Sequence, residues 1–216
     1  IWKLNFLCVE DSYKIKLFLK LAIQRNPMKL FLSFIAIVFT MVTLSAQEKL
    51  PFYEIPATAE TYTTQNVLGR MIDGLGFRYY WSTQGLRLED LAYQPKGAGR
   101  TSQQTITHLY DLSTVLIRLT KTDFPQKKEK ATMNFTVMRT QTLLNLQALS
   151  NRVKTSKDVS EFDTVKDGKV TIPLYNLING PIADAIWHTG QVASFRRSSG
   201  NPINSKINQF TGTVSE

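Results

Sequence analysis

Apolar residues recur at steps of three and four along several segments that follow residue 47. In the clearest segment, about 102–120, the steps are three, four and three, and the residues are Leu109, Leu112, Leu116 and Leu119. This spacing places the apolar side chains on one face of an α-helix, which a globular protein buries against other elements. The pattern recurs along the chain and therefore predicts an all-α domain.

Four such helices are predicted, over about 60–83, 102–120, 130–154 and 174–197. The second follows Thr101-Ser-Gln-Gln104, which has capping-box spacing, and the fourth is expected to be interrupted near Asn179-Gly180-Pro181. Residues 165–170 indicate two short strands joined by a tight Asp-Gly turn. We therefore predict an antiparallel four-helix bundle with a small hairpin before the last helix, a fold whose ligand sites usually lie between facing helices. The tail from Ser198 is polar and is predicted to be irregular.

The charge and cysteine content limit the classes of function that this chain can have. The 216 residues carry a net charge of +9, and six of the 26 basic residues precede residue 47. The others are dispersed, so they indicate a solvated surface, and no nucleic-acid partner is predicted. The only cysteine is Cys8. After residue 47 the chain therefore has neither a disulfide nor a thiol nucleophile, and it also lacks a phosphate loop or a Ser-His-Asp set.

Residues 28–46 have the three parts of a secretory signal peptide: a basic start at Met28-Lys29, the mostly apolar run Leu30 to Leu44, and the small residues Ser45-Ala46. We predict that residues 1–27 are translated sequence upstream of the true start. The mature chain would begin at about Gln47, exported to the periplasm or the extracellular space. The alternative is an uncleaved membrane anchor, although the apolar run is shorter than the roughly 20 residues that usually span a bilayer. Membrane contact is predicted only through this segment.

Two histidines and an aspartate stand where the helical patterns predict apolar residues. His108 shares a side of the second helix with its leucines, and Asp184 and His188 lie at i and i+4 on or beside the inward stripe of the fourth. A carboxylate next to the core is costly unless it is paired or binds a cation. Three arrangements would satisfy it: a hydrogen bond to His188, an ion pair with an arginine such as Arg78 or Arg118, or a metal ion shared with His108.

Polar residues near these positions have their own interpretations. Gln191, one turn past His188, either orients a ligand or is a polar residue at the rim of the bundle. Asp111 is expected to face solvent. Arg196-Arg197 suits the last carbonyls of the fourth helix better than an anion site. Four aromatic residues are expected to fill the core rather than line a pocket mouth: Tyr79, Tyr80, Trp81 and Tyr110.

Three stretches resemble the DinB-like superfamily of four-helix-bundle metalloproteins: Asp184-Ala-Ile-Trp-His-Thr-Gly-Gln-Val192, Thr105-Ile-Thr-His-Leu109 and Gly85-Leu-Arg-Leu-Glu-Asp-Leu-Ala-Tyr-Gln-Pro95. The resemblance spans about 61–202, within a predicted domain of residues 47–202 that a polar tail of residues 203–216 follows. In that family, a histidine on the second helix and a His-x-x-x-His pair before Gly-Gln on the last helix bind one divalent metal ion. Here His108 and His188 match the first and last positions, whereas Asp184 takes the place of the middle histidine.

The resemblance implies a metal site made by His108, Asp184 and His188, with Gln191 placed to orient one of these ligands. Aspartate is a competent ligand, and the expected ion is zinc or nickel, with manganese or iron as further candidates. We therefore expect an exported DinB-like protein that binds one divalent metal ion between helices and acts as a metal-dependent hydrolase or transferase on a small-molecule substrate. The alternative is a non-catalytic helical bundle that binds a small ligand or an envelope protein partner. A homodimer is also expected.

Overall fold

Most of the chain within residues 50–97, 99–125 and 129–215, which the computed structural model describes, is helical. The helices are α1 (Thr64–Thr83), α2 (Leu88–Ala92), α3 (Ser102–Leu119), α4 (Phe135–Lys154), α5 (Leu174–Leu177) and α6 (Ala183–Ser198). The strands are β1 (Thr164–Lys166), β2 (Lys169–Ile172), β3 (Ile207–Asn208) and β4 (Thr213–Val214). Within these ranges no helix is both long and apolar enough to cross a bilayer. The predicted signal segment, 28–46, and residues 1–27 lie outside them.

Side-chain caps set the starts of the long helices. The capping box predicted before α3 is present: Thr101 Oγ1 accepts from the backbone N–H of Gln104, and Gln104 Oε1 accepts from the backbone N–H of Thr101. Helix α1 begins four residues later than predicted because Thr63 caps it. Helix α4 begins at Phe135 rather than near 130 because Asn134 is its N-cap, and a separate 3₁₀ turn occupies Lys130–Thr132.

Helix α1 packs on α4 and α6, and α3 packs on the same two helices. Two contacts show that α1 and α4 run in opposite directions. Lys154, at the end of α4, binds Asp73 in the first half of α1, whereas Arg139, near the start of α4, donates to Thr83 at the end of α1. This pair of helices is antiparallel, as predicted.

The other helix directions follow from contacts at the end of α6. Arg196 donates to the backbone carbonyl of Trp81, so the ends of α6 and α1 meet and these packed helices are parallel. The Phe195 ring contacts Tyr93, whose carbonyl accepts from the N–H of Ser102 at the start of α3, so α3 and α6 are antiparallel.

Helices α3 and α4 therefore run in the same direction, which differs from the antiparallel order predicted for neighbours. The connection between them has 15 residues, 120–134. At up to about 3.4 Å per residue it is long enough to return along a helix of roughly 27 Å.

The helices enclose one apolar core. Its fully buried side chains come from all four long helices and include Ile72, Leu75, Ile106, Leu116, Leu143, Leu149 and Val192. Burial of each large aliphatic side chain contributes roughly 1.5–3 kcal/mol, so these contacts are the main force that holds the four long helices together.

The predicted hairpin is present. β1 pairs with β2 in antiparallel register, and Val165 faces Val170 across the ladder. Asp167 and Gly168 form the turn with φ values of 51° and 73°, the left-handed conformation that a tight Asp-Gly turn requires. The predicted interruption of the last helix is present too, as a π-helical turn over Ile178–Ile182 that contains Pro181.

The C-terminal tail is more ordered than predicted. β3 and β4 form a second small hairpin, and the N–H of Ile55 donates to the carbonyl of Gly212 at 2.9 Å. Ile207 is buried. The prediction of an irregular tail is wrong for these residues because pairing with the segment before α1 satisfies backbone groups that the local sequence leaves open.

Candidate metal centre

His108 lies in the second turn of α3, on the side that faces α6. The cap at Thr101 starts the helix, and the helical period then places His108 one turn before Leu112, on the same side of α3. Its side chain is 28% exposed. The imidazole therefore stands at the edge of the core, where it can reach both a partner helix and solvent.

Asp184 and His188 lie one turn apart at the start of α6, immediately after the π-helical turn. Asp184 Oδ1 is 3.3 Å from His188 Nε2 across this turn, and Asp184 Oδ2 is 3.1 Å from His108 Nε2 across the helix interface. The carboxylate thus bridges two imidazoles from different helices. Of the three arrangements open to Asp184, the structure excludes an ion pair with Arg78 or Arg118 within the described residues.

The three side chains converge on one point. Each offers one donor atom, and these atoms all lie within 4.8 Å of one another. The two imidazole rings are 4.7 Å apart between centroids and nearly perpendicular, at 86°. Donors around a tetrahedral zinc ion lie about 3.3 Å apart, given zinc–ligand bonds of roughly 2.0–2.1 Å. The two carboxylate–imidazole distances, 3.1 and 3.3 Å, are close to that spacing but involve different carboxylate oxygens. Binding of one ion by one donor atom from each residue therefore requires the three side chains to draw closer than their present 4.8 Å limit.

Gln191 forms a hydrogen bond with the ring nitrogen of His188 that does not contact Asp184. Its Oε1 lies 2.8 Å from Nδ1 of His188, so the amide oxygen accepts the Nδ1–H of the ring. A neutral His188 with its proton on Nδ1 turns the lone pair of Nε2 toward the carboxylate of Asp184. Two lone pairs at 3.3 Å repel each other unless a cation, either a proton or a metal ion, lies between them. The predicted role of Gln191 in orienting a ligand is consistent with this contact.

The centre is partly open to solvent. The side chain of His188 is 14% exposed and that of Asp184 is 40% exposed. Solvent can therefore reach the three side chains at the edge of the interface between α3 and α6. Within the described residues, no further histidine, cysteine or carboxylate joins these three residues as a ligand group.

The other residues considered from sequence have structural places. Asp111 is half exposed and forms an ion pair with Lys130, so it faces solvent as expected. Tyr79 is buried in the core, and burial raises its pKa to about 12, which keeps the phenol protonated. Tyr80 and Tyr110 are also buried, and Trp81 packs against the core, so the interpretation of these aromatic residues as core filler is confirmed.

Sequence reasoning missed a buried ionic network at the end of α6. Asp90 is fully buried and accepts hydrogen bonds from Arg87, Ser199 and Asn201. These contacts, chiefly the one from Arg87, hold the pKa of the Asp90 carboxyl well below its usual range. The signal in the sequence is the Arg-x-x-Asp spacing of residues 87–90, which matches a helix N-terminus. The partners from residue 199 onward have no such local signal.

Comparisons with family models, with curated proteins and with solved structures gave no match to this chain. The resemblance to the DinB-like superfamily therefore stays a prediction from the quoted motifs.

Proposed function

We propose that this chain is an exported DinB-like protein that binds one divalent metal ion through His108, Asp184 and His188. In this proposal, α1, α3, α4 and α6 form the four-helix bundle of that family. The observation that carries it is the meeting of three donor atoms within 4.8 Å, from helices separated by more than 60 residues of chain.

The donor types favour particular metals. Two imidazole nitrogens and one carboxylate oxygen suit zinc or nickel, and a two-histidine, one-carboxylate set is also a ligand group for iron(II) and is compatible with manganese. The carboxylate lowers the charge of the centre by one unit relative to three imidazoles. Gln191 holds the His188 ring with Nε2 directed at the centre, which favours the tautomer that a metal ion needs.

A bound divalent ion supplies a Lewis acid with positions left for water or a substrate atom. His108, Asp184 and His188 keep these positions near the surface, where their partial exposure admits a small molecule. This arrangement supports a metal-dependent hydrolase or transferase that acts on a small-molecule substrate.

A second candidate is a non-catalytic helical bundle that binds a small ligand or an envelope protein partner. One observation favours it: Asp184 Oδ2 has a protein hydrogen-bonding partner, His108 Nε2, at 3.1 Å. In that case the two histidines and the aspartate form a structural link between α3 and α6.

Metal analysis of the purified chain distinguishes the two candidates. Under the metal proposal, we expect one ion per chain after loading with zinc, nickel or manganese and removal of the excess. The ion should be lost in His108→Ala and in His188→Ala while the helical circular dichroism persists. Asp111→Asn is the control, because Asp111 is one turn from His108 but pairs with Lys130. Metal-free protein whose thermal midpoint ignores these ions would support the non-catalytic bundle.

Export and self-association are proposed as well. N-terminal sequencing of the cell-envelope fraction should find a chain that starts at Ala46 or Gln47, whereas an intact Met28 in the membrane pellet would indicate an anchor. Sedimentation analysis of the mature chain should show a homodimer, and a monomer at all concentrations would contradict that part of the proposal.

A further inference from the structure

A cavity of about 650 Å³ opens between the start of α1, the 3₁₀ turn Val159–Phe162 and α5. Its volume lies within the range of roughly 300–1,000 Å³ typical of small-molecule sites. None of the three residues of the metal centre lines it. Any ligand of this cavity is therefore independent of the proposed metal ion.

The walls of the cavity are mostly apolar. Leu68 and Leu174 are buried at its base, and Met71 and Ile178 add partly buried surface. Such a base accommodates the apolar body of a ligand, because removal of apolar surface from water is favourable.

Two tyrosines also line the cavity and remain exposed to water. Tyr62 is 91% exposed and Tyr175 is 80% exposed. Tyr62 precedes α1 and Tyr175 belongs to α5, so two separate segments contribute rings to one cavity. The faces of such rings attract cations, and pairs of them are used to recognise alkylated ammonium groups.

The charge of the cavity is opposite to that of the whole chain. Its lining contains two carboxylates, Asp158 and Asp163, and no Lys or Arg within the described residues, although the chain has a net charge of +9. Asp163 Oδ1 accepts the N–H of Leu174 at 2.7 Å, while its other oxygen has no hydrogen bond within the described residues. The hydrogen bond from the Ser160 backbone lowers the pKa of Asp158, so this carboxyl is ionised at neutral pH.

We propose that this cavity binds an organic cation with an apolar body, of the alkylated ammonium class. The apolar base takes the body of the ligand, the rings of Tyr62 and Tyr175 face its ammonium group, and Asp158 and Asp163 supply the opposite charge. An anionic ligand of the same size would meet two like charges and, among the described residues that line the cavity, no Lys or Arg to compensate them.

Three soluble probes of similar shape test the charge preference: 3-hydroxyphenyltrimethylammonium, its neutral isostere 3-tert-butylphenol, and the anion 3-hydroxybenzenesulfonate. We expect saturable calorimetric binding of the cation to the purified chain with a Kd on the order of 1 mM, as its small size allows. The neutral isostere should bind at least about fivefold more weakly, and the anion should not bind. Equal or tighter binding of the isostere, or no saturable binding of the cation, would overturn the proposal.

Variants then locate the site. Asp158→Asn combined with Asp163→Asn keeps the oxygen acceptors of the local hydrogen bonds but removes the charge, and it should weaken cation binding at least about fivefold. Tyr62→Ala and Tyr175→Ala change exposed side chains and should each reduce the preference for the cation over the isostere. The matched control is Asp167→Asn, because asparagine tolerates the left-handed conformation of that turn residue. An unchanged affinity in the double variant, with helical circular dichroism intact, would place the cation elsewhere and refute the assignment.

Discussion

Asp184 and His108 are 76 positions apart in the chain, yet Oδ2 of the aspartate lies 3.1 Å from Nε2 of the histidine. The contact joins α3 to α6 at the edge of the core. The proposed metal centre depends on it, because His188 and Asp184 alone offer only two donors from one helix turn.

Asp184→Asn should weaken metal affinity more than it lowers the stability of the metal-free protein. The carboxylate is 40% exposed, and ion pairs of that exposure typically contribute about 0–1 kcal/mol, which corresponds to roughly 0–4 °C in thermal midpoint. Metal affinity should fall by more than about tenfold, because removal of a residue that only hydrogen-bonds to a metal ligand already costs that much. Competition with a chromophoric chelator measures the affinity, and thermal unfolding measures the stability. The opposite pattern would show that Asp184 serves a structural pair.

Gln191→Ala should lower metal affinity by roughly 10–100-fold, because the Nδ1–H of His188 loses its acceptor and the ring loses its fixed orientation. The same chelator competition measures the change. Gln147→Ala, an exposed glutamine on α4, which carries none of the three ligand residues, is the control and should leave affinity unaltered. If Gln191→Ala binds metal as tightly as the unmodified chain, the amide is only a polar residue at the rim.

Asp90→Asn should destabilise the fold at neutral pH, because the buried carboxylate loses its charge-assisted bonds to Arg87, Ser199 and Asn201. The pKa of Asp90 is lowered in the folded protein, so its contribution to stability is present above its ordinary pKa of 3.8. This contribution declines as the pH falls below that value toward the folded pKa. Thermal midpoints from pH 7 to pH 2 should therefore show a gap between variant and unmodified chain that narrows below about pH 4. A gap that is constant with pH would contradict this account.

Arg196→Met should lower the free energy of unfolding by about 2 kcal/mol or more, because the carbonyls of Trp81 and Gln84 at the end of α1 lose a buried donor. Arg197→Met is the matched control. The side chain of Arg197 is exposed, so its replacement should change the free energy of unfolding by about 0.5 kcal/mol or less. Urea unfolding measures both. Equal effects from the two substitutions would mean that the carbonyl contacts of Arg196 do not stabilise the fold.

Two helical glycines should respond to alanine in opposite directions. A Cβ at Gly76 would lie 2.5 Å from the ring of Phe52, so Gly76→Ala must displace the segment before α1 and should destabilise the fold. A Cβ at Gly190, which is exposed, meets no atom within 4 Å, so Gly190→Ala should stabilise α6 by roughly 0.5–1 kcal/mol. Thermal unfolding checks both changes. A neutral Gly76→Ala would show that Phe52 can move aside without cost.

The helices were predictable wherever a local signal marks them. The leucine spacing and the capping box at Thr101 located α3 to within one residue, and the Asp-Gly turn located the first hairpin. The starts of α1 and α4 lie four to five residues after the predicted ones, because several polar residues in each region can cap a helix and Thr63 and Asn134 are the ones that do so.

Long-range contacts were beyond the reach of pattern analysis. Asp90 has a recognisable local partner in Arg87, but its bonds to Ser199 and Asn201 close over more than 100 residues. The pairing of the tail with Ile55 is of the same kind. No periodicity within either segment encodes the other, so these contacts arise only when the helices have packed.

The local amino-acid sequence alone determined the four long helices. It also placed Asp184 and His188 on one face of α6, because a helix with 3.6 residues per turn brings positions i and i+4 together whatever surrounds them. Only the tertiary structure decided that His108 joins them, that α3 and α4 run in the same direction, and that two acidic and two aromatic side chains share one cavity. Those relations depend on how apolar faces bury each other across distant segments, and the burial free energy belongs to the assembled core rather than to any one segment of the chain.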